Sequence, residues 1–394
     1  MMRHKLGTLC SVVTKGTTPT SIGLKFEESG VPFLRIQNLR ELTVSLEDCL
    51  YVSADTHETL KRSKIRAGDF LITIAGTIGR VAIVPDDFPE CNCNQAVAIL
   101  RFDRTKLLSR YLLHWLSTDD ALNQIRGKKV TATISNLSLS QIKELEIPLP
   151  PLEEQKRIAT ILDKADAIRQ KRKQAIDLAD EFLRSVFLDM FGDPVTNPKG
   201  WEVKEIDQVC TEIVDCVNRT APTVDYETPY KMIRTTNIRN HKIDLSSVRY
   251  VEKDVYEKWV RRLKPEVGDV IFTREAPAGE AGIINFKDSV FLGQRTMHFR
   301  PESEKITSIY LLYELMAPGV QQQIARLSAG STVTHLSVPE CKKFKIRTPS
   351  IENQQRFTDI VNKVERSKKS LLASLEQSIE LFHSLSQKAF SGQL

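Results

Sequence analysis

Two kinds of hydrophobic pattern alternate along the chain, and each of them occurs twice. Short runs of β-branched and apolar residues bounded by glycine and proline predict strands at 70–74 and again at 270–273. Stretches with helical periodicity follow at 109–125 and 308–327. A proline boundary, IPLPP in the first case, then closes each strand-rich region. The pattern predicts a mixed α/β architecture in which one plan is used twice.

After each proline boundary the hydrophobic period becomes that of one long helix. Residues 153–191 carry apolar side chains at steps of three and four, with Arg172 in one slot of the stripe. Residues 351–390 repeat the stripe, with interruptions at Ser367, Lys368 and Ser378. An apolar heptad stripe needs a second surface to cover it. The nearest partner for each long helix is the other long helix in the same chain. The alternative is that each helix only packs on its own globular domain.

The positions assigned to the helix–helix or partner interface are Ile158, Ile161, Ala165, Ile168, Phe182, Val186, Phe357, Ile360, Val364, Leu371, Leu375 and Phe382. Apolar residues outside this predicted seam, such as Leu162, Ile176, Leu183 and Phe187, are expected to need a further partner.

The chain repeats itself once, at an offset of about 200 residues. Gly68-Asp69 faces Gly268-Asp269, and Pro-x-x-Glu-x-Gln occurs at 150–155 and at 349–354. We therefore predict two similar strand-rich globular domains joined by two long antiparallel helices that form an intramolecular coiled coil, with pseudo-two-fold symmetry. The predicted segments are a first globular domain at 1–150, a first long helix at 151–192, a second globular domain at 193–349 and a second long helix at 350–394.

Composition limits the classes of protein that the chain can belong to. With 394 residues and 41% hydrophobic content it has enough apolar material for sizeable cores. No apolar run approaches the roughly 20 residues that span a bilayer, and the first residues lack the apolar block of a secretion signal. Seven cysteines without a CxxC pair favour a reducing compartment, so a cytoplasmic protein without a structural zinc site is expected. The net charge of +6 permits nucleic-acid binding without demanding it.

The sequence lacks the motifs of the common catalytic sites. It contains no GxxxxGK[ST], GxGxxG, HExxH or GxSxG, and no Asn/Asp-Pro-Pro-Tyr/Phe of the kind that amino-methyltransferases use. We therefore expect a non-catalytic binding protein with two similar but non-identical globular domains, and no metal or cofactor bound by this chain.

The repeated framework, the IPLPPLEEQ block at 147–155 and the QKAFSGQL end at 387–394 together resemble the specificity subunits of type I restriction-modification systems. The resemblance implies that each globular domain is a target recognition domain that reads one half of a bipartite, asymmetric site in double-stranded DNA. It implies that the long helices set the spacer and dock two modification subunits, which bind S-adenosylmethionine and methylate adenine. Two restriction subunits that use ATP and Mg²⁺ complete the expected complex.

Direct reading of bases requires polar side chains on loops, and register on DNA requires phosphate contacts. The candidate DNA contacts are Arg35, Gln37, Asn38, Arg40, Thr73, Thr77, Arg80, Gln95, Lys128, Lys129 and Thr131 in the first domain, and Arg234, Thr235, Thr236, Asn237, Arg239, Arg274, Arg295, Ser331, Thr332 and His335 in the second. Glu275 would suit a cytosine amino group.

Several alternatives stay open at the level of sequence. Asn38 and Asn237 either contact DNA or cap a turn. The glycine-containing segments 127–133 and 329–335 either approach the phosphate backbone or are plain solvated loops. For the whole chain, the rival function is a stand-alone duplicated DNA-binding regulator or scaffold without methyltransferase partners.

Overall fold

The computed structural model describes residues 2–40, 42–126, 136–327 and 335–394. The chain divides into two compact units. Unit 1 consists of Met1–Lys173 with Ala373–Leu394, and unit 2 consists of Gln174–Leu372. Within the described ranges, no helix has the length and apolar content that crossing a membrane would require.

Unit 1 is built from short strands and helices followed by one long helix. Its strands are β1 (Arg3–Lys5), β2 (Cys10–Lys15), β3 (Val31–Leu34), β4 (Leu39–Arg40), β5 (Thr43–Val44), β6 (Leu50–Val52), β7 (Lys64–Ile65), β8 (Phe70–Thr73), β9 (Val81–Ile83), β10 (Cys91–Cys93), β11 (Val97–Phe102) and β12 (Glu146–Pro148). Its helices are α1 (Leu6–Leu9), α2 (Ala54–Thr59), α3 (Ser109–Leu116), α4 (Asp119–Arg126), α5 (Leu139–Glu144) and the first part of α6 (Leu152–Phe191), with 3₁₀ turns at Pro19–Ile22, Ile36–Asn38 and Lys61–Ser63.

Two four-stranded sheets, in the orders β2-β11-β8-β9 and β6-β3-β10-β7, form the body of unit 1. Phe70 and Ile72 of β8 point into the core that the helices cover, whereas Leu71 points into the core between the sheets. Because both faces of β8 are buried, its first three residues are all apolar and do not alternate with polar residues, and only the final Thr73 is polar. This burial explains the unbroken run from which the strand was predicted.

Unit 2 repeats this plan. Its strands are β13 (Val203–Glu205), β14 (Cys210–Asp215), β15 (Tyr230–Ile233), β16 (Ile238–Arg239), β17 (Lys242–Ile243), β18 (Arg249–Tyr250), β19 (Val270–Thr273), β20 (Ala281–Ile283), β21 (Ser289–Leu292), β22 (Thr296–Pro301) and β23 (Lys345–Arg347). Its helices are α7 (Lys253–Trp259), α8 (Ser308–Met316), α9 (Pro318–Leu327), α10 (Val338–Lys342) and the first part of α11 (Ile351–Ser391), with 3₁₀ turns at Ile206–Gln208 and Thr235–Asn237.

The strand pairing shows that the two units are structural repeats. The order β14-β22-β19-β20 in unit 2 corresponds to β2-β11-β8-β9 in unit 1. Thr73 lies opposite Val97 in unit 1, and Thr273 lies opposite Thr296 in unit 2. The mixed fold and the internal repeat predicted from the sequence are therefore confirmed.

The aspartate of each repeated Gly-Asp pair forms an ion pair with an arginine, at the start of β8 and of β19. Gly68 and Gly268 have φ of 76° and 99°, which side chains with a Cβ rarely adopt. Asp69 then accepts two hydrogen bonds from Arg101, of 2.6 and 2.7 Å. Asp269 accepts two from Arg300, of 2.9 and 2.8 Å. The bidentate geometry ties each strand to its neighbour in the sheet.

The glutamine of each Pro-x-x-Glu-x-Gln motif joins the long helix to its globular core. The buried side chain of Gln155 accepts from the backbone N–H of Leu108 at 2.9 Å and donates to the carbonyls of Lys106 and Pro150 at 2.8 and 2.9 Å. Gln354 makes the equivalent three bonds, to Thr307, Lys305 and Pro349. An amide is required because the site needs one acceptor and two donors at once.

The long helices α6 and α11 have 40 and 41 residues, each about 60 Å long at 1.5 Å per residue. Both helices contribute to both units. In unit 1, Arg172 donates to the Ser374 carbonyl at 2.6 Å, and the Arg169 guanidinium lies 5.3 Å from the Phe382 ring centroid. In unit 2, Lys368 pairs with Asp180. Partner numbers on α11 fall as those on α6 rise, so the helices pair antiparallel in each unit, as predicted.

Aromatic residues near the helix ends complete the cores. In unit 1, Phe390 of α11 lies 5.1 Å from Tyr111 of α3, measured between ring centroids. In unit 2, Phe191 of α6 lies 4.8 Å from Tyr310 and 5.5 Å from Phe357. The core of each unit therefore contains side chains from both long helices.

The predicted interface positions divide into two groups. Ile168 and Phe182 are 49% and 52% exposed, so of the two roles predicted for them, helix–helix seam or partner interface, the first is excluded. Conversely, Leu162, Leu183 and Phe187, which were expected to need a further partner, are buried in the cores of the two units. The heptad pattern alone does not show this burial. Near its ends, each long helix packs on a globular core as well as on the other long helix, and the core buries a different face. The remaining seam positions are buried or half-buried.

We expect Gln155→Ala to lower the free energy of unfolding by about 2–4 kcal/mol, because it leaves buried backbone groups unpaired. Urea unfolding followed by circular dichroism measures this change. The matched control is Gln170→Ala on the same helix, where the side chain bonds only Asp166 one turn away. Equal destabilisation by the two variants would contradict the role given to Gln155.

Acid should weaken unit 2 through Asp269. Burial alone would raise the pKa of this carboxyl, but contacts from Arg300 and His298 outweigh it and lower the pKa to about 2. The stabilisation from the carboxylate is therefore complete above pH ~4, where an unfolded aspartate ionises, and is lost as the pH falls through about 2. We expect Asp269→Asn to cost about 3–5 kcal/mol at neutral pH, because Arg300 loses its buried bidentate partner and, among the described residues, keeps only the exposed Glu266 as an anionic partner, at 3.5 Å.

The measurement is urea unfolding at pH values from 2 to 7. Between pH 4 and 2 the wild type should lose stability more steeply than Asp269→Asn. The control Asp254→Asn breaks an exposed pair with Lys258 on α7 and should leave the wild-type slope in place. Identical slopes for wild type and Asp269→Asn would show that the ion pair does not control acid stability.

Candidate nucleic-acid interface

The 3₁₀ turns Ile36–Asn38 and Thr235–Asn237 occupy equivalent places in the two units. Asn38 is buried, and its side chain accepts from the Arg35 backbone N–H at 2.9 Å and donates to the Glu47 carbonyl at 2.8 Å. Asn237 is buried in the same way and accepts from the Arg234 N–H at 3.0 Å. Of the two roles left open for these asparagines, the structure favours capping of the turn over contact with DNA.

The arginines that flank each turn hold backbone carbonyls. Arg35 donates to the Asp48 carbonyl at 2.8 Å, and Arg234 donates to the Ser247 carbonyl at 3.0 Å. Both are half-buried, so they fix the loop that follows the turn. Arg40 pairs with Glu47 at 2.5 Å and remains exposed.

Arg239, at the position equivalent to Arg40, is also exposed and donates to the carbonyls of Thr235 and Ile238 at 2.8 and 2.6 Å. The Thr235 side chain is buried, which corrects its prediction as a DNA contact. At the tips of the turns, Gln37 and Thr236 are exposed, and their side chains have no hydrogen-bond partner among the residues described. These two equivalent positions are free to meet a ligand.

The loop after β8 and its equivalent after β19 are shaped by buried threonines. The Thr73 hydroxyl accepts from the Arg80 N–H at 2.9 Å, and the Thr273 hydroxyl accepts from the Glu280 N–H at 3.0 Å. Thr73 is completely buried, so its prediction as a DNA contact is corrected. Thr77, at the tip of the same loop, is exposed as the prediction requires.

The side chain at the end of this loop reaches the neighbouring turn in both units. Arg80 donates to the Leu39 carbonyl at 3.2 Å. In unit 2 the position is Glu280, which accepts from the Asn240 N–H at 3.2 Å. The two units thus join the same loops with side chains of opposite charge.

Two further segments complete the cluster of loops in each unit. The backbone N–H of Ile74 bonds the Ala96 carbonyl at 2.8 Å, and the N–H of Leu137 bonds the Ile74 carbonyl at 2.8 Å. In unit 2 the N–H of Arg274 bonds the Arg295 carbonyl at 2.8 Å. The N–H of Leu336 in turn bonds the Arg274 carbonyl at 3.1 Å. In unit 2 the described parts of the four predicted segments therefore lie side by side. In unit 1 the first three do so, together with Leu137, while the fourth predicted segment, 127–133, lies outside the described residues.

Within this cluster Gln95 is exposed and bonds the Thr18 hydroxyl, and the equivalent Gln294 accepts from Thr220 at 3.4 Å. Thr18 and Thr220 were not found from the sequence. The loops before them differ in length between the units, so the repeat offset that aligned the other segments fails there.

The remaining candidates in unit 2 differ in exposure. Arg274 is half-buried and donates to the Leu336 carbonyl at 3.1 Å. Arg295 and His335 are exposed, and both contact the half-buried Glu275. The candidates Lys128, Lys129, Thr131, Ser331 and Thr332 lie outside the described residues.

The described residues contain no group of three His, Cys, Asp or Glu side chains arranged to hold a metal ion. What each cluster presents instead is a set of exposed amide, hydroxyl and guanidinium groups on a backbone held by buried polar residues. Such groups suit hydrogen bonding to base edges and phosphates.

Comparison with known proteins identifies the family. The family model described as "Type I restriction modification DNA specificity domain" matches twice, at residues 1–178 and 198–381. The type I restriction enzyme EcoBI specificity subunit of Escherichia coli is 23% identical over 332 residues, covering 76% of this chain and 69% of that protein. The putative MjaX specificity subunit of Methanocaldococcus jannaschii is 23% identical over 344 residues, covering 84% of this chain and 79% of that protein.

Solved structures share the fold. A chain from work on complex assembly and conformational transition of the type I R-M system aligns with a TM-score of 0.62 at 18% identity, covering 100% of this chain and 98% of that one. The S subunit of the type I system of M. genitalium aligns with a TM-score of 0.57 at 14% identity, covering 99% and 96%. The chain therefore belongs to the type I restriction-modification DNA specificity family, as a non-catalytic subunit that recognises DNA sequence.

Proposed function

We propose that each unit reads one half of a bipartite, asymmetric site in double-stranded DNA through its cluster of four loops. The observation that carries this proposal is the combination of a shared framework with different exposed side chains. Buried residues that shape the loops are the same in both units, as with Asn38 and Asn237. Some exposed residues are also shared, as with Arg40 and Arg239, but others differ at equivalent positions, as with Gln37 and Thr236. A duplicated binder of two different half-sites requires this division.

Within each cluster the exposed polar side chains divide by chemistry. Gln37, Thr77, Gln95 and Thr236 carry amide or hydroxyl groups that suit base edges. The exposed guanidinium groups of Arg40 and Arg239, each also engaged within the protein, suit the phosphate backbone and would fix the register of the protein on DNA. Lys128 and Lys129, which the sequence analysis predicts as DNA contacts, would add to the phosphate contacts.

The paired helices would set the number of unspecified bases between the half-sites. This is supported by the length of α6 and α11 and by their antiparallel contacts within each unit. Polar residues contribute to the pairing, since Arg172 and Lys368 both contact the opposite helix. A polar residue in a helix–helix seam fixes register, because any shift leaves it without its partner.

The same helices would dock the modification subunits. Large apolar side chains on the two helices remain substantially exposed, and they are Ile168, Leu178, Phe182, Leu188, Leu372 and Leu381. Exposed apolar groups of this size on an otherwise charged helix are typical of a surface that a partner covers. We therefore place Ile168 and Phe182 at the partner interface.

The complex would contain two modification subunits, which bind S-adenosylmethionine and methylate adenine, and two restriction subunits, which use ATP and Mg²⁺. This chain would bind none of these cofactors and would act in the cytoplasm, where the DNA lies. The rival function, a stand-alone regulator or scaffold, is not favoured, because the curated relatives are specificity subunits of type I enzymes.

The test is to co-express the full chain with the modification subunit encoded beside it and to map methylated adenine by single-molecule sequencing. We expect a motif with two short specified ends separated by a fixed number of unspecified bases. A single continuous motif would contradict reading by two units. Failure of the two proteins to form a complex would favour the stand-alone DNA-binding protein.

The spacer should change with helix length. Inserting one heptad after Lys173 in α6 and another after Leu372 in α11, where the two units divide, keeps the antiparallel register and adds about 10.5 Å. At 3.4 Å per base pair we expect about three more unspecified bases. The same methylation mapping measures the effect, and altered bases within either half-site would contradict the role of the helices as a spacer.

A further inference from the structure

Arg295 lies in the loop between β21 and β22, among the four loops of unit 2. Its Nε lies 2.9 Å from Oε2 of Glu275, whose side chain is only 14% exposed, whereas that of Arg295 is 56% exposed. The terminal amino groups of Arg295 have no partner among the described residues. The carboxylate therefore holds the guanidinium by its inner edge and leaves its outer edge facing solvent.

His335 holds the other oxygen of the same carboxylate, through a contact between its Nδ1 and Oε1 of Glu275. The backbone bonds from Arg274 to Arg295 and from Leu336 to Arg274 keep the three segments in register. Glu275 is thus fixed from two sides, and the direction of the Arg295 side chain is set before any ligand arrives.

The backbone at Arg295 adds independent support. Its φ is 69°, in the left-handed region that residues with a Cβ rarely adopt. Such conformations persist where the surrounding structure imposes them, and they concentrate at functional sites. The equivalent residue in unit 1, Ala96, does not have a positive φ.

Unit 1 has none of these three side chains at the equivalent positions. The strand registers make Ala96 equivalent to Arg295, Ala75 equivalent to Glu275 and Asn136 equivalent to His335. The backbone there is kept, since Ala75 and Asn136 still form a β-bridge. The side chains of Glu275, Arg295 and His335 are therefore not needed for the fold of these loops. Exposed ion pairs also contribute little stability.

We infer that Arg295, held by Glu275 and His335, reads one guanine in the half-site of unit 2 by donating to its O6 and N7 in the major groove. An arginine whose Nε is paired with a carboxylate can present its two terminal amino groups as a parallel pair of donors, which matches these two acceptors. Holding the side chain in advance reduces the freedom that it loses on binding. This inference rests on the proposed function and names the base that one residue selects.

The experiment uses the complex of the full chain with its modification subunit and a library of DNA sites randomised at each position of the mapped motif. The variants are Arg295→Ala, Arg295→Lys, which keeps the charge without the paired donors, and Glu275→Gln, which keeps the shape of the supporting side chain. The matched control is Arg262→Ala, because Arg262 is 60% exposed and paired with Asp215 at 2.6 Å elsewhere in unit 2.

We expect both Arg295 variants to lower the preference for guanine at a single position by roughly 10- to 100-fold, with Glu275→Gln giving a smaller loss at the same position. The other half-site and the Arg262→Ala variant should keep the wild-type preferences. Arg295→Lys should retain most of the affinity for DNA, which separates lost reading from lost charge.

An unchanged preference at every position in the Arg295 variants would overturn the inference. Uniform weakening on all sequences would also overturn it, because that result is expected of a phosphate contact. In both cases the wild-type bipartite motif would still stand. A wild-type complex that selects no bipartite motif would instead overturn the proposed function, and this inference with it.

Discussion

The buried glutamine at the start of each long helix is the constraint on which the arrangement of each unit depends. Gln155 and Gln354 each accept from one backbone N–H and donate to two backbone carbonyls. A carboxylate lacks the donors and a leucine lacks both, so only the amide closes the joint. Because the bonds reach the loop before α3 or α8 and the proline boundary, they fix the direction in which the helix leaves its core.

The elements of the fold could be predicted largely from the sequence. Helices at 152–191 and 351–391 agree with the predicted heptad stripes at 153–191 and 351–390 to within a residue, and with the predicted segments 151–192 and 350–394 to within three, because a sustained heptad bounded by proline and glycine has few other solutions. It was harder to predict which face of each helix is buried. Periodicity describes a helix with one neighbour, but Leu162, Leu183 and Phe187 lie where a globular core is a second neighbour. Ile168 and Phe182 were predicted at the helix–helix or partner interface, and their exposure excludes the first of these two roles.

The candidate site was predicted by segment more reliably than by residue. The described parts of the four predicted segments lie together in unit 2, and so do the first three segments of unit 1, whose fourth segment lies outside the described residues. Within them, sequence reasoning did not separate side chains that face a ligand from those that hold the loop. Asn38, Thr73 and Asn237 are polar because they replace backbone hydrogen bonds inside a turn, whereas Gln37 and Thr236 are polar at an exposed tip. Burial decides between the two roles, and burial depends on contacts that are distant in sequence.

Each long helix belongs partly to unit 1 and partly to unit 2, and this affects the order in which the two cores can form during synthesis. Tyr111 of unit 1 packs against Phe390, which the ribosome adds some 280 residues later. Unit 2, by contrast, receives Phe187 and Phe191 before any of its own strands is made. The half of the protein that is synthesised first is therefore the last to close its core, and until then it must keep an apolar face exposed.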